Sequence, residues 1–321
     1  MPLSSWIFSN RQKKVPAERQ LPGTVITTRK QLMAMTRIVQ ETPGNYHVYT
    51  GTVSQKRFRC TLRDLGHGHR EASVNRCVDW KHDGPLHPDS RAAQILRGEI
   101  EDPDAEDKRE ANIRRAARRA KSKIRQRCKA QGLDSLLTLT YRANQTDRAL
   151  CEAHFKALLR RLRRLMPWFP YVAFFEPQKR GAWHVHMAVR KLPMTLAASN
   201  GVQAKSFNVV RAIWRSVVGD LGGNIDMGRW KGNSHKSAAK CAAYISKYCL
   251  KAYADGEMGS KRYRASSVDL PAGETVQLEA SSMAELIDLV VSFAGEDGRV
   301  LATSWLSSFK DCYFVASERP S

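Results

Sequence analysis

Acidic residues are scarce. Asp and Glu number 31 against 53 Lys and Arg among 321 residues, a net charge of +22 with His neutral. Such a surplus implies a polyanionic partner, nucleic acid before an anionic membrane surface. Long apolar runs are also missing. No stretch approaches the ~20 residues of a membrane span, and MPLSSWIFSNRQKK has no basic segment followed by an apolar one, so it does not read as a signal peptide. The seven cysteines are scattered and form no Cys-x-x-Cys pair, which fits reduced thiols in a cytoplasm. The spacing of Cys60, His67, His69 and Cys77 fits no standard zinc pattern. No G-x-x-x-x-G-K-[ST] phosphate loop occurs, so no helicase motor is expected within the chain. What remains is ordinary globular material: 42% hydrophobic and 26% charged residues, enough for one large domain or two average ones.

The charge is unevenly spread. From residue 265 onward nine acids face Arg299, Lys310 and Arg319, so that tail carries −6 and residues 1–264 carry +28. This sign change predicts a boundary near 265 and a small acidic C-terminal unit over 265–321. Residues 1–103 read as an N-terminal extension with short strands at His47–Val53 and Arg57–Leu62. A helix rich in Arg, Ala and Lys is expected from Asp104 to Lys129. Residues 108–129 hold eleven cations, and their mutual repulsion points to a helix that tracks phosphates, with Arg114, Arg115, Arg118 and Arg119 as DNA contacts.

The middle of the chain has the clearest periodicity. LLTLTY (136–141) and YVAFFE (171–176) read as strands, and WHVHMAVR (183–190) pairs with the second of these as a hairpin. Helical spacing runs over 147–165 and 207–221, a strand over 224–230, and a further helix over 236–252. The order βαββαβ predicts an α+β fold with a ferredoxin-like, split βαβ antiparallel sheet and flanking helices.

Two clusters on this frame carry chemistry. In a strand, residues two apart share a face, so His184 and His186 project side by side. Glu176 on the preceding strand can join them, with Gln178 as the other third ligand. Two imidazoles and a carboxylate suit a divalent ion such as Mg²⁺ or Mn²⁺. On the last helix, Lys240, Tyr244, Lys247, Tyr248 and Lys251 fall within an arc of roughly 100°, while Ala242, Ala243, Ile245, Cys249 and Leu250 fill the other side. Two phenols among cations beside a metal point to nucleophilic attack on phosphate.

LLTLTY, FEPQKRGAWHVHM and YISKYCLK together resemble the three ordered motifs of rolling-circle replication initiators, the HUH endonucleases, in the two-tyrosine branch of small single-stranded DNA phages, filamentous phages included. The resemblance covers roughly residues 105–264 and implies the HUH endonuclease fold. It implies His184, His186 and Glu176 as metal ligands and Tyr244 and Tyr248 as nucleophiles. Lys247 and Lys251 would act on the phosphate, and Arg180 and Lys240 would join the DNA contacts. Thr138 and Thr140 belong to the first motif, and Trp183 flanks the turn. The implied partners are single-stranded DNA at a replication origin and a host helicase and DNA polymerase in a bacterial cytoplasm, with no membrane. Two readings compete: a two-tyrosine rolling-circle transposase, and a non-catalytic basic DNA- or RNA-binding protein with an RRM-like sheet.

Overall fold

The structure of the chain, a computed structural model, describes residues 35–197, 201–228, 238–254 and 263–320, with side chains in the third stretch described as far as residue 248. The chain opens with three antiparallel strands, β1 (Met35–Thr42), β2 (Asn45–Gly66) and β3 (His69–Pro85). Gly66-His67-Gly68 turns β2 into β3 with φ of 73°, 48° and 79°. Three successive left-handed residues favour glycine at the outer two, and at Gly68 a Cβ would stand 3.0 Å from Arg319 Cβ.

A short helix α1 (Arg91–Leu96) precedes the long α2 (Ala105–Ala130). α2 buries Ala117, Ala120, Ile124 and Cys128, steps of three and four that give one apolar stripe, and leaves Arg109, Arg114, Arg115, Arg118 and Arg119 exposed, with Arg125 and Arg127 half-buried. β4 (Ser135–Tyr141) follows, then α3 (Arg148–Leu165), β5 (Tyr171–Pro177) and β6 (Trp183–Val189). A ribbon of β7 (Thr195–Ala197) and β8 (Gln203–Lys205) leads to α4 (Ser206–Val218), β9 (Gly223–Met227) and α5 (Ala238–Ala254). The chain ends in β10 (Tyr263–Ala265), β11 (Glu274–Glu279), α6 (Met283–Gly295), β12 (Val300–Leu306) and β13 (Cys312–Glu318).

β4, α3, β5, β6, α4 and β9 follow the βαββαβ order read from the sequence. Their sheet runs β10-β5-β6-β4-β9, antiparallel throughout, so the protein is mixed α+β. Strand alternation sorts the side chains into two layers. Leu137, Leu139, Ala173, Phe175, Val185, Met187 and Ile225 join α3 and α4 in one core. Leu136, Val172, Phe174 and Ala188 meet Ile124 and Cys128 of α2 and Cys241, Ala242 and Ile245 of α5 in another. α3 starts at Asp147, whose carboxylate accepts from the backbone N–H groups of Ala149 and Leu150. β9 approaches α4 closely enough that a Cβ at Gly223 would lie 2.6 Å from Trp214 Nε1, so this strand begins on glycine.

A second sheet, β1-β2-β3-β13-β12 with β11 on β2, packs on α6 around Phe58, Val74, Leu286, Val290 and Val315. It joins segments that the sequence reading places at opposite ends, in the extension 1–103 and the acidic unit 265–321. β3 pairs with β13 from Arg70↔Ser317 to Asn75↔Cys312. The division at 264/265 runs through β10. The change of charge sign has a physical reason, since acids of the tail face cations of the first strands: Arg70 lies 3.1 Å from Glu296 and 3.3 Å from Asp297. Residues 1–34 of the extension, residues 229–230 of the expected strand and residues 236–237 of the expected last helix lie outside the described residues. The six described cysteines are all free, and among the described residues no helix is long and apolar enough to cross a membrane.

Candidate functional site

β6 is the second strand of a hairpin with β5, in register Glu176↔His184 and Phe174↔His186. Val185 and Met187 face α3 and α4, so His184 and His186 must face the layer of α2 and α5. The row continues through Thr138 on β4 to Asp226 on β9. Asp226 is a polar residue on this face that the sequence reading missed; the alternation of Asn224, Ile225 and Asp226 was its available signal.

α5 lies against this face through Cys241, Ala242 and Ile245. Lys240 and Lys247 are exposed, and Tyr244 and Tyr248 are half-buried. Ala243, expected in the core, is exposed because it borders a cleft between α5, α2 and β12. The side chains of Cys249, Leu250 and Lys251 lie outside those described.

The helix brings its tyrosines to the histidines. The ring of Tyr248 stacks on His186 with centroids 4.3 Å apart, and its hydroxyl donates to that of Tyr244 at 3.1 Å. Burial, and next the bond to Tyr244, push the Tyr248 phenol above its usual range. Lys247 Nζ sits 5.4 Å from the centre of the Tyr244 ring. Glu176 Oε2 lies 3.0 Å from His186 Nε2, and Thr138 Oγ1 lies 3.3 Å from its Nδ1. Thr140 instead donates to the Asn224 carbonyl at the edge of the site.

His184 differs from its neighbour. Its Nε2 is buried with no hydrogen-bond partner. Burial, and then the nearby charges of His186 and Arg180, lower its pKa. A neutral imidazole with an unused buried nitrogen is the form that binds a metal. The donor set of His184, His186 and Glu176 therefore fits a divalent ion in its chemistry. The three do not stand as a converged ligand cluster, and no such cluster of His, Cys, Asp or Glu occurs among the described residues. Glu176 contacts the imidazole of His186 directly.

The expected DNA contacts are spread more widely. Arg114, Arg115, Arg118 and Arg119 lie exposed on α2, and Arg180 is exposed in the β5–β6 turn. Arg114 pairs with Glu110 at 3.1 Å, and Arg115 bonds Asn112 at 2.6 Å. Trp183 packs into the hairpin, donating from Nε1 to the Thr146 carbonyl beneath the Arg148 guanidinium.

Residues 134–253, from the start of β4 to the end of α5, match the family model described as Replication-associated protein ORF2/G2P. The match is consistent with a replication initiator and spans little more than a third of the chain. Neither the comparison with curated proteins nor that with solved structures gives a match.

Proposed function

We propose that the chain initiates rolling-circle replication by nicking one DNA strand at an origin presented as single-stranded DNA. The observation that carries this reading is the meeting of Tyr244 and Tyr248, hydroxyls 3.1 Å apart, with the His184–His186 strand. The family match over the same residues supports the replication role. The strand order β5-β6-β4-β9, with α3 and α4 on one face, supports a ferredoxin-like HUH endonuclease centred on residues 104–264.

In this mechanism a tyrosine oxygen attacks the scissile phosphorus. The O–P bond to tyrosine forms, the bond to O3′ breaks, the phenol loses its proton, and the 3′ oxygen leaves as a hydroxyl. The 5′ end stays on the protein, and the free 3′-OH primes a host polymerase behind a host helicase in the bacterial cytoplasm. Lys247 and Lys251 place positive charge near the phosphate as negative charge develops. A divalent ion, Mg²⁺ or Mn²⁺, held by His184, His186 and Glu176 would polarise the phosphate. The second tyrosine cuts the regenerated site after one round. The 3′-OH it frees attacks the first phosphotyrosine, which restores that phenol and joins the ends without ATP.

The test is a labelled single-stranded origin oligonucleotide incubated with the protein and Mn²⁺ on a denaturing gel. A slow, protease-sensitive band is expected. Binding with no covalent band would replace this reading with that of a non-catalytic nucleic-acid-binding protein.

A further inference from the structure

The sheet face opposite the tyrosines carries a second concentration of positive charge. α3 displays Lys156, Arg160, Arg161, Arg163 and Arg164, all exposed. α4, packed beside it, adds Arg211 and Arg215. The one acid on α3, Glu152, is occupied by Arg148 and Arg264, and α4 has no acid. Among the described residues none of these seven cations is paired with a carboxylate. Three bond locally: Arg161 to the Ser216 hydroxyl, Arg211 to Asn208 Oδ1 at 3.3 Å, and Arg215 Nε to the Gly223 carbonyl at 3.1 Å.

Between the helices runs a cleft of about 380 Å³, lined by Arg161, Arg164, Leu165, Val209, Ile213 and Ser216. Ala212 is exposed on its rim, its larger apolar residues Leu165, Val209 and Ile213 are half-buried or buried, and no large hydrophobic side chain of the cleft stands exposed. A protein partner would be expected to find an aromatic or aliphatic anchor here. A single strand would be expected to find aromatic rings for its bases. Neither is present. Lys156, Arg160 and Arg164 follow one another at four-residue intervals, so their cations recur about every 6 Å along the helix over ~12 Å. A duplex carries about twice the charge per unit length of a single strand. That suits cations placed on two adjacent helices.

We propose that the α3–α4 face binds the phosphate backbone of double-stranded DNA, the duplex flank of the site that is nicked on the opposite side of the sheet. The contact is sequence-independent and fixes where the duplex lies. The inference rests on the DNA reading above, and the two fail separately.

The experiment compares the wild-type chain with one carrying Lys156→Ala, Arg160→Ala, Arg163→Ala and Arg164→Ala. All four side chains are exposed, so the fold should hold. Affinities for a short duplex and for a single strand of the same sequence are measured by anisotropy in chelator, across a salt series. Duplex affinity should fall at least about tenfold, and the slope of log affinity on log salt should flatten by roughly 3 to 4, about 0.9 for each phosphate no longer neutralised. Single-strand affinity and adduct formation on the single strand with Mn²⁺ should stay within about twofold. Unchanged duplex affinity, or an equal fall for both nucleic acids, would overturn the proposal. So would polyglutamate binding this face as tightly as the duplex at equal salt. A lack of adducts in the wild-type chain would reject the nicking mechanism and leave the duplex measurement standing.

Discussion

The phenol ring of Tyr248 lies flat on the imidazole of His186, planes within 10° of parallel. One ring thus covers part of the other, and the Tyr248 hydroxyl is directed at Tyr244. The two tyrosines form one hydrogen-bonded unit across a single turn of α5. In the proposed mechanism an attack by Tyr248 gives up the proton it donates in that bond, whereas Tyr244 is the acceptor of the same bond.

Tyr244→Phe and Tyr248→Phe should each lower the yield of covalent adduct on a single-stranded oligonucleotide, and the double change should abolish it. Denaturing gels and mass spectrometry of the adduct peptide are the readouts. Adduct surviving in the double variant would remove both residues from the nucleophile role.

Chelator should stop cleavage, and Mn²⁺ or Mg²⁺ should restore it. His184→Ala, which deletes the buried nitrogen without a partner, should weaken Mn²⁺ binding by about 10-fold or more in calorimetry and lower adduct yield in step. Full cleavage in chelator would reject the metal site.

Arg118→Ala with Arg119→Ala removes two exposed cations of α2. If that helix tracks phosphates, the salt slope for origin DNA should flatten by roughly 1.8, about 0.9 for each phosphate. An unchanged slope would assign the helix surface to solvent.

Glu71 on β3 ties the second sheet to α2. Its carboxylate accepts from Arg125 Nε at 2.7 Å and from Lys129 Nζ at 2.8 Å, and both Glu71 and Lys129 are almost fully buried. Burial alone would raise this carboxyl, but the Arg125 bond and charge, with Lys129, outweigh it and hold the pKa below its usual value. The unfolded chain therefore takes up the proton first as pH falls. The stabilisation is complete above about pH 4.3, the unfolded value, and is lost as pH falls through the lower native value. Glu71→Gln strands Lys129 and should cost about 3–5 kcal/mol at neutral pH. Denaturant melts at pH 7 and pH 3.5 should show the difference from wild type shrinking in acid. A constant difference would deny that the carboxylate charge matters.

The central sheet was legible because its strands are short, either alternating or apolar throughout, and are bounded by a hairpin turn or by helices with apolar stripes. Alternation alone also placed His184 and His186 on one face and left Val185 inside. β1 and β3 were not legible, and β2 was legible only as two short pieces, His47–Val53 and Arg57–Leu62, which the structure joins into one strand. β2 runs for 22 residues with half-exposed positions on both faces and a break in register between Val53 and Phe58, so no period of two persists along it. Nor does local pattern reveal that β13 will insert between β3 and β12. The tail's acidity read as a boundary, although Arg70 and Arg299 turn it into a seam. On α5 the arc of lysines and tyrosines was readable, but not how closely Tyr248 would approach His186, which depends on the packing of Cys241, Ala242 and Ile245 against the sheet.

The pairing of β3 with β13 joins residues about 240 apart in the chain. Synthesis therefore delivers every strand and helix of the tyrosine site before the partner of β3 has emerged. Until then β3 offers an open edge along Arg70–Asn75, a template for any other strand. Pairings this distant form slowly, so the unit from β4 to α5 can assemble on the ribosome while its flanking sheet stays incomplete. A chain that stops short of residue 312 should still hold that unit and should self-associate through the bare strand, which light scattering of the truncated protein against the full chain would register.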